Sequence, residues 1–429
     1  MLLSGWGRYP RVEAQGSFYE TEDEAAALVS AGHPWIAHGA GGSYGDSALN
    51  REVIFTRHYH RLIDLDEGRG IIRCAAGMTL AEIIDRTLPR GWFLKVTPGT
   101  RKITVGGAIA ADVHGKNHHQ QGCFSSSVLS FRLMLPDGRI MTCGRQENPD
   151  LFRATCGGMG LTGLVLDAAL RLVRVNSAFI RERTIRCRGL NEILENLEHH
   201  QAVPYSVAWV DCLEKNGRGL VMLGEHADDG DLSRPPPRSL SVPERFPSPL
   251  LNRFSVRLFN RLYFLAAGPS ARTRRVSLDQ FFYPLDRLDS WNRLYGPSGF
   301  IQYQFVLPDE AGTAGLRAVF GKMRDENVGP FLGVLKLFGP ANDNPLSFPL
   351  KGCSLALDFP MHPRLFPFLD ELDAIVIAHG GRHYLAKDAR MKAGVFERGY
   401  PEAKNFRNIR QRYGLTEKIN SLQSLRLHI

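Results

Sequence analysis

Three observations point to an α+β fold. Short β-rich runs and amphipathic helical stretches follow one another without a regular βαβ period. One pair of runs is joined at Pro136-Asp137-Gly138, the chemistry of a hairpin turn. Hydrophobic residues make up 43% and aromatic residues 10% of the 429, which suits a sizeable core and excludes a disordered chain. No internal repeat is present, and the length suits one large domain or two.

Residues 52–58 (EVIFTRH) and 70–77 (GIIRCAAG) read as strands. Residues 79–88 (TLAEIIDRTL) have helical spacing, with Thr79 as N-cap and Glu82 completing a capping box. Residues 127–144 form two strands about the hairpin turn, and 160–175 close the section as an apolar β-rich run. From 227 to 247 the chain is loop-like. Between Arg234 and Arg275 there are nine arginines and one acid, Glu244. Within that segment LLNRFSVRLFNRLYFLAAG interleaves Arg with Leu, Phe and Tyr. Strands return at 298–308, 333–340 and 353–360, and the stretch 383–414 reads as polar and helical. A boundary near 177 separates a glycine-rich half from a strand-and-aromatic half.

The net charge of +9 favours an anionic partner. Nucleic acid is set aside, because no binding motif accompanies the charge. The Arg-rich segment suits an anionic membrane surface, with Leu250, Leu251, Phe254, Leu258, Leu262, Phe264 and Leu265 supplying apolar area. Seven cysteines, widely spaced and without a C-x-x-C pair, argue against a disulfide framework or a zinc site. The opening MLLSGWGRYPRVEAQ has no signal-peptide run, and no apolar stretch of about 18 residues occurs. A cytoplasmic location, or a peripheral one on the inner membrane, is expected.

Three glycine-rich motifs stand out: HGAGGSYGDSALN (38–50), PGT with TVGGAIA (98–110), and CGGMG with TG (156–163). Glycine lets a backbone approach a ligand and leaves N–H groups free for anionic oxygens. The first spacing is neither the Rossmann turn nor a P-loop. Each motif alone could be a turn in a sheet protein; three together favour a ligand with a flat ring and a pyrophosphate. His114, His118 and His119 lack an accompanying acid, so no metal is expected. A helix is not expected after the paired glycines, and His118 and His119 read as structural hydrogen-bonders.

Together these motifs resemble the FAD-binding domain of the vanillyl-alcohol-oxidase-type flavoproteins. Within that superfamily GSYGD, PGTRKITVGGAIAADVHGKNHH, YQFV, LKLFGP, LSFP, DFP and YLAKDAR resemble the decaprenylphosphoryl-β-D-ribose 2′-oxidase family. The resemblance runs from GWGR (5–8) to the C-terminal helix. It implies a two-subdomain FAD-binding domain, 1–177, to which 382–429 returns, and a substrate domain, 178–381, built on an antiparallel sheet with helices. It implies FAD contacts at Ala37, His38, Gly39, Ala40, Gly41, Gly42, Ser43, Tyr44, Gly45, Asp46, Ser47, Gly99, Thr104, Val105, Gly106, Gly107, Ala111, Asp112, Val113, His114, Val165 and Tyr384. Gly42 stands where many superfamily members carry the His that bonds the flavin, so FAD is expected without a covalent bond.

Alcohol oxidation needs a hydride acceptor and a group that manages the hydroxyl proton. The resemblance gives the catalytic roles to Lys387 and His114. Lys387 either offsets negative charge or acts as a base. Substrate contacts are implied at Lys116, Trp209, Tyr283, Gln302, Gln304, Lys336, Ala356 and Lys387. Ala356 stands where mycobacterial members carry Cys. The implied reaction is FAD-dependent oxidation of the 2′-hydroxyl of a polyprenylphosphoryl-β-D-ribose. A soluble sugar, alditol or aldonolactone is the alternative substrate class. The implied partners are a lipid-linked sugar phosphate, a separate short-chain-dehydrogenase-type keto-reductase and an anionic membrane surface.

Overall fold

The computed structural model describes residues 1–429 apart from 235–238, 245, 248–249 and 269–270. Arg238 and Arg245 of the Arg-rich segment lie outside the described residues. The fold is α+β, with helices packed on largely antiparallel sheets.

The first half is built as its local chemistry dictates. Thr79 caps helix Leu80–Thr87, and Glu82 returns the bond to the Thr79 backbone. The hairpin at Pro136-Asp137-Gly138 joins strands Val128–Met134 and Ile140–Gly144, which pair antiparallel. Both belong to a six-stranded sheet with Leu164–Arg174, Ile71–Ala75, Leu62–Asp66 and Trp92–Leu94. A separate three-stranded sheet pairs Gln15–Phe18, Glu52–Phe55 and Ile36–His38 in parallel. The change of sheet falls between Arg174 and Phe179.

The second half is built on an eight-stranded antiparallel sheet. Its strand order is Arg272–Ser277, Phe179–Cys187, Gly219–His226, Tyr205–Val210, Leu332–Phe338, Gly352–Pro360, Phe300–Pro308 and Arg382–His383. Strand side chains alternate between faces. Tyr303, Phe305, Leu335, Leu355 and Leu357 point into a core with helices Leu190–His199, Asp309–Asp325 and Leu365–Ala378. The opposite row, Gln302, Gln304, Val334, Lys336, Ser354 and Ala356, is left for the glycine loops.

The C-terminal segment then returns to the first loop. Trp35 bridges to Ile419, and the Tyr44 N–H donates to the Ala386 carbonyl at 2.9 Å. Arg426 bonds both Asp46 and Asp388. Fully buried Arg410 donates to the carbonyl oxygens of Leu161, Ile419 and Ile429.

Several local readings are corrected. Val105–Ala110, in a motif that alone could be a turn in a sheet protein, is a short helix, because the Thr104 hydroxyl accepts from the Gly107 N–H at 3.1 Å. Glycine is tolerated there for packing: a Cβ on Gly106 would lie 3.2 Å from the Ala76 Cβ. A helical turn also forms at His118–Gln121 despite the preceding glycines. The stretch after His383, read as helical, holds only the turn Leu385–Lys387 before helix Ala393–Gly399. There Asp388 Oδ1 accepts from the N–H groups of Arg390 and Met391, which competes with a helix. In helix Arg253–Ala266, Phe264 does not face outward; it packs with Trp209 and Leu220.

Candidate active site

The three glycine motifs and the uncovered row of the eight-stranded sheet enclose one cleft. It holds about 340 Å³ of space open to water-molecule centres. Ala37, Gly39, Ala40, Gly41, Gly42, Ser43, Tyr44 and Ser47 line it from the first motif. Gly99, Thr104, Gly106, Gly107, Ala111, Val113 and His114 line it from the second, and Val165 from the strand after the third. Tyr384 and Lys387 enter from the returning segment. Gln302, Gln304, Lys336 and Ala356 form the sheet wall.

Other singled-out residues do not reach this wall, each for a local reason. His38 turns its Nδ1 to the Ala48 carbonyl and its ring edge to Phe55. Gly45 lies under Asp388: a Cβ there would meet the Asp388 carbonyl oxygen. Asp46 pairs with Arg426. Val105 is core. Asp112 is bonded by Ser125, Asn342, Asn344 and Ser347. Lys116 Nζ donates to the Phe281 carbonyl and lies over the Phe281 ring. Trp209 packs edge-on against Tyr263, and the Tyr283 hydroxyl is paired with Thr97 at 2.7 Å.

The residues present fit a flat ring carrying a diphosphate. At Gly39 and Gly42 the wall is bare backbone, since a side chain has no room behind it. A Cβ on Gly39 would lie 2.4 Å from Thr104 Oγ1, and one on Gly42 would lie 2.7 Å from Ile103 Cγ2. Gly41 has φ +65°, a left-handed conformation that favours glycine. A buried polar atom of His114 is left without a partner at the cleft. Gln304 Nε2 donates to His114 Nε2 at 3.1 Å, which puts the imidazole hydrogen on Nδ1, and Nδ1 has no partner.

The two cations beside the sheet wall, Lys336 and Lys387, are both desolvated. Burial lowers Lys387 to about 7, with Asp358 opposing that shift and Lys336 adding to it. Burial lowers Lys336 to about 8. His114 is held well below its ordinary range by burial and then by Lys336, so its imidazole is neutral. Lys387 Nζ sits 3.5 Å from the centre of the Tyr44 ring. The sequence reading passed over Asp358, a buried carboxyl that burial pushes up to about 7. The signal was available: Asp358 follows Ala356 by two positions in a strand, so both share a face.

Comparison with known proteins then places the chain. Residues 18–144 match the model of an FAD-binding domain. The chain is 37% identical to the decaprenylphosphoryl-beta-D-ribose oxidase of Mycolicibacterium smegmatis, over 95% of this chain and 93% of that protein. The chain belongs to this oxidase family. It is thus an FAD-dependent oxidoreductase. A Streptomyces coelicolor protein is 34% identical over 78% of the chain and 95% of its own length. Human Delta(24)-sterol reductase is 25% identical over 40% of the chain and 33% of its own length. The matched FAD-binding domain holds the first two glycine motifs, whereas the third motif and Lys387 lie beyond it.

Proposed function

We propose that this protein oxidises the 2′-hydroxyl of a polyprenylphosphoryl-β-D-ribose to the 2′-keto sugar, with FAD held non-covalently. One observation carries the reading. The glycine-walled half of the cleft opens directly onto a sheet wall of Gln302, Gln304 and Lys336, with Lys387 entering from the returning segment, in a chain 37% identical to an oxidase of that name. FAD, when bound, supplies the hydride acceptor. Ala37, Gly39–Tyr44, Gly99, Thr104, Gly106 and Gly107 would hold it. Gly42 offers no side chain for a covalent bond, and the space behind it is filled by Ile103.

The chain's own residues manage the sugar and its proton. Lys336 and Gln304 present an ammonium and an amide to sugar hydroxyls or the phosphate. Loss of the C2 hydride requires loss of the hydroxyl proton. With Lys387 lowered to about 7 by burial, both of its forms are populated near neutrality. The amine takes the proton at Nζ, and the ammonium offsets negative charge in the cleft. His114, neutral and tied to Gln304, offers an Nδ1–H for a hydrogen bond. The keto product requires a separate reductase of short-chain-dehydrogenase type. In this reading the FAD-binding domain comprises 1–177, in two subdomains, and 382–429, while the antiparallel sheet carries the substrate domain, 178–381.

An anionic bilayer is the proposed docking partner. Among the described residues no helix is long and apolar enough to cross a membrane. Helix Arg253–Ala266 instead turns an apolar face outward, with Phe254 78%, Phe259 62% and Leu262 58% exposed. Arg257 and Arg261 are exposed beside them, and the helix carries no acid. Leu332 packs against the Trp209–Phe264 cluster under this helix and also lines the cleft. A lipid tail leaving the cleft there would meet the same surface.

Anaerobic bleaching of the bound flavin tests the function. Synthetic prenylphosphoryl ribose should bleach it, and free pentoses, alditols and aldonolactones should not. Bleaching by a free sugar alone would reject the lipid-linked substrate.

A further inference from the structure

One carboxyl on the cleft's sheet face keeps an oxygen without a partner. In strand Gly352–Pro360, Ser354 and Ala356 line the cleft, and Asp358 continues their row. Asp358 pairs in register with Gln302 on one side and Leu332 on the other, both on the cleft wall. It is 1% exposed. Its Oδ1 accepts from Gln302 Nε2 at 2.6 Å, and its Oδ2 has no hydrogen-bond partner. A buried carboxylate with an empty side needs a nearby cation or a proton.

Lys387 lines the same cleft as Gln302, the residue that holds Asp358 Oδ1, and it is the cation whose charge acts on the carboxyl. Among the described residues Lys387 makes no direct ion pair; its Nζ rests over the Tyr44 ring. Beside Tyr44 lies one further carboxyl of the cleft, Asp286, which burial raises above its ordinary value. Tyr44 and Tyr295 feel the Asp358 charge, and burial keeps both hydroxyls protonated. Lys336 disfavours a proton on Lys387, and His114 is neutral.

We infer that Asp358 is a positioning residue that sets the charge state of Lys387, its carboxylate serving as the ammonium's counter-charge while Gln302 fixes its orientation. The inference rests on the reading of Lys387 as the working group of the cleft. Burial drives both partners toward their neutral forms, and their mutual attraction opposes it. Asp358 thereby divides Lys387 between amine and ammonium, the two forms the oxidation uses. An Asp358→Asn change removes the attraction and keeps the side chain's size, so Lys387 shifts toward amine.

Competitive labelling of the FAD-loaded protein with acetic anhydride, across a pH series, reads this directly. The extent of Lys387 acetylation, measured by mass spectrometry, gives its protonation midpoint. In Asp358→Asn the midpoint is expected about one unit lower, so that labelling at pH well below it is about tenfold faster. Asp358→Glu, which keeps the charge, is expected to restore most of the shift. An unchanged or higher midpoint in an FAD-retaining Asp358→Asn overturns the inference. A reciprocal measurement covers a variant that does not fold. In Lys387→Met the infrared band of a buried protonated carboxyl is expected to persist to higher pH than in wild type. A band that does not move also overturns it. Neither readout needs turnover, so the wrong sugar in the bleaching assay would leave both results interpretable.

Discussion

Replacing Arg426 by Met should loosen both sides of the cleft at once. Arg426 Nη2 donates to Asp46 at 2.7 Å and to Asp388 at 2.8 Å, and both carboxyl side chains are 5% exposed. Asp46 closes the first glycine motif, and Asp388 follows Lys387. Removing one partner of a buried pair costs about 3–5 kcal/mol, because charge is left unpaired. The Arg426 side chain is 25% exposed, which places the loss near the lower end, about 3 kcal/mol. For cooperative unfolding at about 2.1 cal/mol/K per residue, this chain loses about 3 °C in Tm. The deficit should depend on pH. Burial works against the Asp388 carboxylate, but Arg426 outweighs it and holds its pKa below the ordinary value. That stabilisation is present above the unfolded pKa of about 3.9 and lost as pH falls through the folded one. Burial already holds Asp46 above its ordinary value against the pull of Arg426. Without Arg426, burial of both carboxylates loses that opposition, so protonation should relieve them and the deficit should narrow from about pH 7.5 to about 5.5. Thermal unfolding of the FAD-loaded protein, followed by circular dichroism and flavin fluorescence, measures it. Adding Asp46→Asn and Asp388→Asn should recover more than half of the loss. A deficit under 1 °C, or one equal at both pH values, would refute the clamp.

Lys387→Ala should lower turnover at least a hundredfold, about 3 kcal/mol of transition-state stabilisation, while FAD content stays near wild type; near-normal rates would remove Lys387 from the mechanism. Acid precipitation should release all yellow colour into the supernatant, and colour kept on the chain would contradict non-covalent FAD. None of the seven free cysteines lines the cleft, so a small thiol alkylator should spare the wild type and inactivate Ala356→Cys with one label; inactivation of wild type at the cleft would show that another thiol reaches it. In flotation with anionic vesicles at low salt, wild type should rise and Arg257→Glu/Arg261→Glu should not, with salt abolishing the difference; equal behaviour would place the membrane contact elsewhere.

Local chemistry was legible in the sequence wherever near neighbours settle it. The Thr79–Glu82 capping box, the hairpin at Pro136-Asp137-Gly138 and the strands around Gln304, Lys336 and Ala356 depend on residues a few positions apart. The same holds for the three glycine motifs and for the family they resemble. Other features required the chain to be brought together. Arg426 clamps carboxyls 380 and 38 residues away, distances at which no periodicity operates. Asp112, Lys116, Trp209 and Tyr283 were singled out with the cleft residues, yet each is engaged by a remote partner, Asn342, Phe281, Tyr263 and Thr97 respectively. Phe264 and Leu265 are adjacent and equally apolar, but only the sheet beneath the helix decides that one is buried and the other exposed. Asp358 shows the division most sharply. Its strand parity follows from sequence, but desolvation and the approach of Lys387 are three-dimensional. Electrostatic free energy depends on distance and surrounding solvent, and neither is a property of position along the chain.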